Sequence, residues 1–460
     1  MAKSKINKND TVRLKIDDLT DRGFGVGRVD GLVVFVADTV PGDEIVARII
    51  KVNSSYLVGK VESFIEHSHL RYDGRCSEEK CHSCAYKNIS YEEELKLKEE
   101  GVRHLFHRLG IEVEPIIPSP SPVRYRNKAQ YPVAKVGKEY QVGFYMPKSH
   151  RVTPVRDCPI APRIFADMID KVMTHISAWL ISVYNEETGE GLVRHIYLRR
   201  GGLTGETVLT LVVTSFELSH ADDLVRTLRY YFPEIVGILL NKNPDATNVV
   251  LGEDYKLLWG RDYIYDVLCD VRLKIPVDAF YQVNHDAAEV LYKKARELAK
   301  PGKDDTLIDL YCGVGSIGLS MARDVGELYG IEIVESAIEC ARTNAADNHI
   351  DNAHFYVGDA ANCERLLEKA EREVGHKIDP DIIILDPPRA GCDEKLIRFV
   401  SSLAPKRIVY ISCNPKTLAR DVELFLSLGF ESSSVSTVDM FPCSGHVESV
   451  VCLTRSDKAT

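Results

Sequence analysis

From about Arg272 the chain alternates strand-sized apolar runs with helical segments: TLIDLY, HFYVGD, DIIILD and RIVYIS follow one another with helices between. Parallel strands need long crossovers, so this rhythm commits the region to a parallel sheet covered by helices on both faces. Two closing strands, near Ser432 to Asp439 and Val447 to Leu453, lack an intervening helix and should pair antiparallel. A strand running against its neighbours begins at the edge where theirs finish. Glu448, near the start of the last strand, is therefore expected at the same edge as Asp386 and Cys413. That edge is where an α/β sheet keeps its chemistry.

The residues at the edge are of reactive kinds. Cys413 lies in Arg407 to Thr417, RIVYISCNPKT, where a buried strand opens into a loop. Pro415 is a favoured first residue of the next helix, expected over Lys416 to Leu428, and that helix's N-terminus should favour thiolate over thiol. The first strand of the sheet runs into Asp309-Leu310-Tyr311-Cys312-Gly313-Val314-Gly315-Ser316-Ile317-Gly318. Its glycines allow a tight turn and let a ligand lie against the backbone. Glu332 ends the second strand, where a carboxylate can accept both hydroxyls of a ribose. Asp359 ends the third, where it can meet an adenine amino group, and Asp386 ends the fourth. A dinucleotide enzyme would want a second mononucleotide half and has little use for Cys413 and Glu448 beside its cofactor. S-adenosylmethionine needs one nucleoside site and an adjoining acceptor pocket, which fits better.

Upstream the pattern differs. Strand-sized segments at Val12 to Ile16, Gly23 to Val29, Leu32 to Val36, Glu44 to Val52 and Tyr56 to Phe64, with turn signals at Asp30-Gly31 and Pro41-Gly42, suggest an oligonucleotide-binding type of barrel. Cys76, Cys81 and Cys84 follow, with Cys158 further on. Three thiols so close can converge on one metal centre with a fourth from elsewhere, and zinc and an iron-sulfur cluster both accept four cysteines. A single CxxC makes a paired zinc ribbon the poorer fit. Ser90 to Leu109 carries a helical pattern opened by a Ser90/Glu93 capping box. Between Arg124 and Arg156, eight basic residues stand against Glu139, interleaved with Tyr125, Tyr131, Tyr140, Phe144 and Tyr145. Cations track phosphates and aromatic faces stack on unpaired bases. The net charge of -10 argues against indiscriminate coating of nucleic acid, so this stretch alone suits RNA. Residues 193 to 270 read as further β segments, with His195 as a satisfied polar residue. No apolar segment approaches a membrane span and the start has no signal-peptide core, so a cytoplasmic protein is expected.

Taken together, GFGVGRVDG, the four cysteines, Ala279 to Asn284 (AFYQVN), DLYCGVGSIG, LDPPRAG, ISCNPKTLARD and His446-Val447-Glu448 resemble the RNA (uracil-C5)-methyltransferases, most closely the 23S rRNA branch with a TRAM domain and an iron-sulfur cluster. The resemblance covers nearly the whole chain. It implies a Rossmann-like class I S-adenosylmethionine-dependent methyltransferase domain, an N-terminal OB-like TRAM barrel and a β-rich central domain. It further implies Cys413 as nucleophile and Glu448 as general base, making 5-methyluridine through a covalent adduct. Gln282, Tyr311, Glu332 and Asp386 would contact the cofactor, with Asp359 near its adenine and Ser316 in the pocket beside Gly313 and Gly315. Cys76, Cys81, Cys84 and Cys158 would hold a [4Fe-4S] cluster. Ser90 to Leu109 would pack on the catalytic domain. The domains expected are 1–66 (TRAM), 67–90 with 122–270 (central, with the cysteines) and 91–121 with 271–460 (methyltransferase). The partner expected is a loop or single-stranded uridine of 23S rRNA, with no membrane and no obligate protein partner. A tRNA substrate is the alternative within the family. An iron-sulfur RNA-binding or redox-sensing protein with an inert methyltransferase-like domain is the alternative outside it.

Overall fold

The computed structural model describes residues 6–78 and 80–455. The described chain forms two compact units, one of residues up to Gly101 with Phe441–His446, the other of Val102–Met440 with the residues from Val447 onward.

In the first unit, β1 (Thr11–Leu19), β2 (Phe24–Val29), β3 (Leu32–Ala37), β4 (Glu44–Val52) and β5 (Tyr56–Glu66) close into a barrel in the order β1-β2-β3-β5-β4. Alternate residues point inward, so Leu14, Ile16, Val34, Val36, Ile45, Ala47, Ile49 and Leu57 make its core, and closure leaves no open sheet edge. The Asp30-Gly31 turn has φ of 48° and 81°, the left-handed pair that a two-residue hairpin needs. Helix α1 (Tyr91–His107) starts where the capping signal put it. Only half of the expected box forms: the Ser90 hydroxyl accepts the Glu93 N–H at 3.2 Å, while the Glu93 carboxylate turns to Lys96 at 2.7 Å.

The second unit holds two large sheets. Strands β6 (Glu112–Val113), β7 (Lys128–Val136), β8 (Glu139–Tyr145) and β9 (Val152–Pro154) precede helix α2 (Arg163–Ala178). Then come β10 (Val193–Arg200), β11 (Thr207–Val213), α3 (Ala221–Tyr231), β12 (Ile235–Lys242) and β13 (Asp254–Gly260). Seven of these strands form a sheet ordered β13-β12-β11-β10-β7-β8-β9. One face is apolar: Ile196, Leu198, Leu209 and Leu211 pack with Phe165 and Met168 of α2 and Leu224 and Leu228 of α3. His195, on the opposite face, departs from expectation: it is buried with no hydrogen-bond partner for Nδ1 among the described residues, and burial pushes its pKa down to about 4. A hairpin, β14 (Tyr263–Leu268) with β15 (Val271–Pro276), straddles the expected domain boundary at 270/271.

The remaining elements are α4 (His285–Ala299), β16 (Thr306–Leu310), α5 (Ser316–Met321), β17 (Glu327–Glu332), α6 (Glu335–Asp347), β18 (Ala353–Val357), α7 (Cys363–Val374) and β19 (Ile382–Leu385). Helix α8 (Glu394–Ser402), β20 (Arg407–Ser412), α9 (Pro415–Ser427), β21 (Phe430–Glu431), β22 (Ser434–Val438) and β23 (Glu448–Arg455) complete them. Their sheet runs β18-β17-β16-β19-β20-β23-β22-β6, with β21 paired to β23 off that path. Strands β18 to β20 are mutually parallel in this order, and β23 is antiparallel to both β20 and β22. Ile308, Ile383, Leu385, Ile408 and Tyr410 bury one side of the parallel strands, and Val102 and Phe106 of α1 join that core. The fully buried strands account for the near-continuous apolar runs in the sequence.

Candidate active site

The register of the last strand builds the centre. Pairing runs from Arg407 opposite Thr454 to Ser412 opposite Ser449, so one further step sets Cys413 against Glu448. Glu448 is buried at 4% exposure, and its charge acts on the Cys413 thiol. Burial pushes the Glu448 carboxyl up to about 8, with Asp386 adding to the rise and Arg389 opposing it. Asp386 itself is raised by burial to about 7.

The expected depression of the Cys413 thiol does not occur. Burial raises its pKa first, the carboxylates of Glu448 and Asp386 raise it further, and Arg389 pulls it back by charge and by a hydrogen bond to the sulfur. Desolvation and two nearby acids outweigh one helix terminus. Helix α9 does begin at Pro415, with the Asn414 side chain accepting the Lys416 N–H at 3.2 Å.

Arg389, within LDPPRAG, ties two turns together. Its carbonyl accepts from Asn414 Nδ2 at 2.9 Å and from the Thr417 hydroxyl at 3.2 Å, which bolts the turn after β19 to the loop after β20. Gly391, at φ 77°, closes this turn. Buried Asp421 accepts the Tyr410 hydroxyl at 2.6 Å and the Cys392 N–H at 2.9 Å, and Arg420 reaches the Ala390 carbonyl at 2.9 Å. The ARD ending of ISCNPKTLARD therefore holds the Arg389 turn in place. Only a signal linking residues about thirty apart could have revealed this from sequence.

The glycine loop and Glu332, where a nucleoside is expected, lie at the ends of β16 and β17. Tyr311, Gly313 and Gly315 all take left-handed φ, at 66°, 54° and 81°. A β-carbon on Gly318 would stand 2.8 Å from Asp309 Oδ2 and 2.9 Å from Leu328, so the short α5 can press onto the sheet only with glycine there. Asp309 accepts the Gly318 N–H at 2.8 Å, and burial lifts its pKa to about 8. Glu332 is oriented by the Gly313 N–H at 3.2 Å and the Val334 N–H at 3.0 Å. Beside it, Ile333 and Val334 are exposed at 63% and 50%, an apolar edge that alternation alone did not mark. Asp359 lies two residues beyond β18 and caps a short turn through the Ala361 N–H at 2.9 Å. The Ser316 hydroxyl is paired with Tyr292 at 3.0 Å. Gln282 is buried on a segment held by Asn127, whose side chain donates to its carbonyl at 2.8 Å. Next to it, the Tyr281 hydroxyl donates to Asp266 at 3.0 Å, and Asn284 Nδ2 donates to the Met440 carbonyl at 3.0 Å.

The expected cysteine ligands divide between the two units. Cys76, Cys81 and Cys84 fall in the first unit and Cys158 in the second. Among the described residues no group of three or more His, Cys, Asp or Glu side chains is set to hold a metal ion. Cys84 is instead hydrogen-bonded to the sulfur of Cys443 in its own unit. The thiols are soft donors of the kind that zinc and iron-sulfur clusters take.

A parallel sheet with a glycine loop and an acid at the end of the next strand, with Cys413 and Glu448 brought to one edge, is the layout of an S-adenosylmethionine-dependent methyltransferase, here an RNA methyltransferase. Residues 90–456 match the tRNA (uracil-5-)-methyltransferase family and residues 6–61 match the TRAM domain. The chain belongs to that family. It is 38% identical over 453 residues to an uncharacterized RNA methyltransferase of Halalkalibacterium halodurans, covering 97% of this chain and 98% of the relative. A similar Bacillus cereus protein, also an uncharacterized RNA methyltransferase, is 38% identical over 458 residues, covering 98% of each. Among solved structures, the Pyrococcus abyssi tRNA (uracil-54, C5)-methyltransferase in complex with S-adenosyl-L-homocysteine superposes with a TM-score of 0.78 at 29% identity, covering 96% of this chain and 100% of that one.

Proposed function

We propose that the protein methylates C5 of a uridine in 23S rRNA through a covalent adduct, with Cys413 as nucleophile and Glu448 as general base. The observation that carries this is the antiparallel pairing of β20 with β23, which brings Glu448 close enough to Cys413 for its charge to act on the thiol. S-adenosylmethionine, which Gln282, Tyr311, Glu332, Asp359 and Asp386 would hold along the loop of Gly313, Gly315 and Ser316, supplies the methyl group from its sulfonium. Uracil C5 is too electron-poor to take it unaided. The Cys413 thiolate adds to C6, and the electron pair of the C5–C6 double bond moves out to the C4 oxygen as an enolate. C5 then takes the methyl and is left with one hydrogen too many. Glu448 removes that proton, the double bond re-forms, and the thiolate departs.

The electrostatics order these steps. Two anions side by side in a buried site oppose each other, so thiolate and glutamate are not charged together in the free enzyme. Once sulfur is bound to carbon its charge is gone, and Glu448 ionises more readily when it is needed as a base. When the thiolate leaves, Glu448 carries the proton and the charges have exchanged places.

Cys413→Ala is expected to abolish methylation, and Glu448→Gln to trap protein on RNA as a denaturation-resistant adduct. Full turnover by the alanine variant would exclude the mechanism. The rRNA assignment follows the TRAM barrel and the cysteine group. A tRNA substrate is favoured instead by the likeness to the Pyrococcus abyssi enzyme, and methyl incorporation into protein-free rRNA and tRNA decides between them. A [4Fe-4S] cluster on Cys76, Cys81, Cys84 and Cys158 rests on donor chemistry, and no step of the reaction is routed through it. We place the domain limits at 1–66, at 67–90 with 122–270, and at 91–121 with 271–460; the pairing of β6 with β22 supports the last. A cytoplasmic location accords with the described helices, none of which is long and apolar enough to cross a membrane.

A further inference from the structure

The seven-stranded sheet has a second face, opposite its helices, where strand alternation puts Lys128 and Gln130 of β7 beside His195, Tyr197 and Arg199 of β10. Arg199 is 2% exposed, and Lys128 is its register partner, so two long cations lie side by side. Arg126 joins them, its Nε donating to the Lys128 carbonyl at 3.0 Å.

Part of this cluster has a structural task. Arg199 Nη2 donates to the Ala279 carbonyl at 2.5 Å, and the Tyr197 hydroxyl, which accepts from Arg199 Nε at 3.2 Å, donates to the Val277 carbonyl at 2.6 Å. These bonds pin the segment that leads to Gln282. They leave Arg199 Nη1 without a partner among the described residues, and the Thr210 hydroxyl across from Tyr197 is unpartnered as well. A buried guanidinium N–H with no acceptor costs roughly 1–3 kcal/mol, so such a group normally marks a bound water or ligand.

The charge balance says which. Burial pushes the Lys128 pKa down to about 8, and the charges of Arg199 and Arg126, both of its own sign, push the same way. Asp278, on the pinned segment, is exposed and bears on Tyr197 and Tyr255. Three cations held together against their mutual repulsion, one with an unmet donor and two only half-buried, suit an incoming anion better than a structural water.

We propose that Arg126, Lys128 and Arg199 bind a backbone phosphate of the RNA strand that carries the target uridine. This rests on the protein's acting on RNA, and it assigns the half-buried Arg126–Lys128 corner of that second face as part of the RNA path. A phosphate contact positions the strand without reading sequence, so its loss weakens every RNA alike.

The test measures equilibrium binding of full-length protein, in a Cys413→Ala background that cannot turn over, to a 23S rRNA fragment and to a uridine-free oligoadenylate across a potassium chloride series. Lys128→Gln and Arg126→Gln are each expected to weaken both RNAs about tenfold at low salt, with the slope of log K against log salt smaller by about one. Lys128→Arg, which restores the charge, is expected to recover the affinity. Unchanged slopes in both glutamine variants would overturn the proposal, as would lost affinity with an unchanged slope and a lowered melting temperature, since that is the mark of a purely structural cluster. Methyl transfer by the protein with Cys413 intact is scored separately, so failure of the methylation reading and failure of this site give different results.

Discussion

Glu448 stands among groups that keep it neutral. Its folded pKa is about 8 against an ordinary 4.5, so between those values the native state alone holds the proton. Stability contributed by this site is therefore greatest below about pH 4.5 and is lost as pH rises toward 8. Glu448→Gln removes the titration. The free variant is expected to melt above the wild type at pH 8, with the gap closing by pH 5, as scanning calorimetry at three pH values would record. A gap that stays constant with pH would mean that the acid is ionised throughout. Asp309 and Asp386 shift in the same direction and leave the wild type some residual slope of the same sign.

The working parts are turns at the ends of elements, and their fixings lie further off. The Arg389 turn depends on Asp421, one helical turn and a half into α9, through its bonds to Tyr410 and the Cys392 amide. Asp421→Ala strands both of those donors in the core, at a cost of about 1–3 kcal/mol each. It is expected to slow methyl transfer at least tenfold while S-adenosylmethionine affinity, measured by titration calorimetry, stays within about twofold; an unaltered rate would show that the turn stands without it. The sequence made β16, β19, β20 and the sense of β23 legible because buried parallel strands are continuous apolar runs and a missing crossover dictates an antiparallel partner. It put Cys413 and Glu448 at one edge of the sheet for the same reason. The direction of the thiol's shift was not legible, because it depends on how far the fold buries Cys413 and on Glu448 and Asp386 arriving from other strands. Nor was the Asp421 clamp, since an aspartate in an amphipathic helix reads as solvated until the fold buries it.

At the scale of the whole chain, the residues proposed to hold the nucleoside, Gln282 through Asp386, all fall in the second unit, whereas Cys76, Cys81 and Cys84 fall in the first. If the four thiols carry a [4Fe-4S] cluster, anaerobic protein should contain about four iron and four sulfide per chain. Stripping them with a chelator should leave S-adenosylmethionine affinity within about twofold. Metal-free protein from anaerobic, iron-replete preparation would dispose of the cluster. The barrel was readable from its turns, because Asp30-Gly31 can adopt few other conformations. The split of the chain into these two units was not, since Phe441–His446 joins the first unit from between two strands of the second.

The reversed strand β23 also bears on how such an enzyme can change. Because Cys413 and Glu448 are brought together by the backbone pairing of β20 with β23, a substitution can retune either group without parting them. A one-residue deletion inside β23 would instead turn the acid toward the far side of the sheet, erasing catalysis while sparing most of the hydrophobic packing. Point mutation can thus explore this centre, whereas length variation must be confined to the loops.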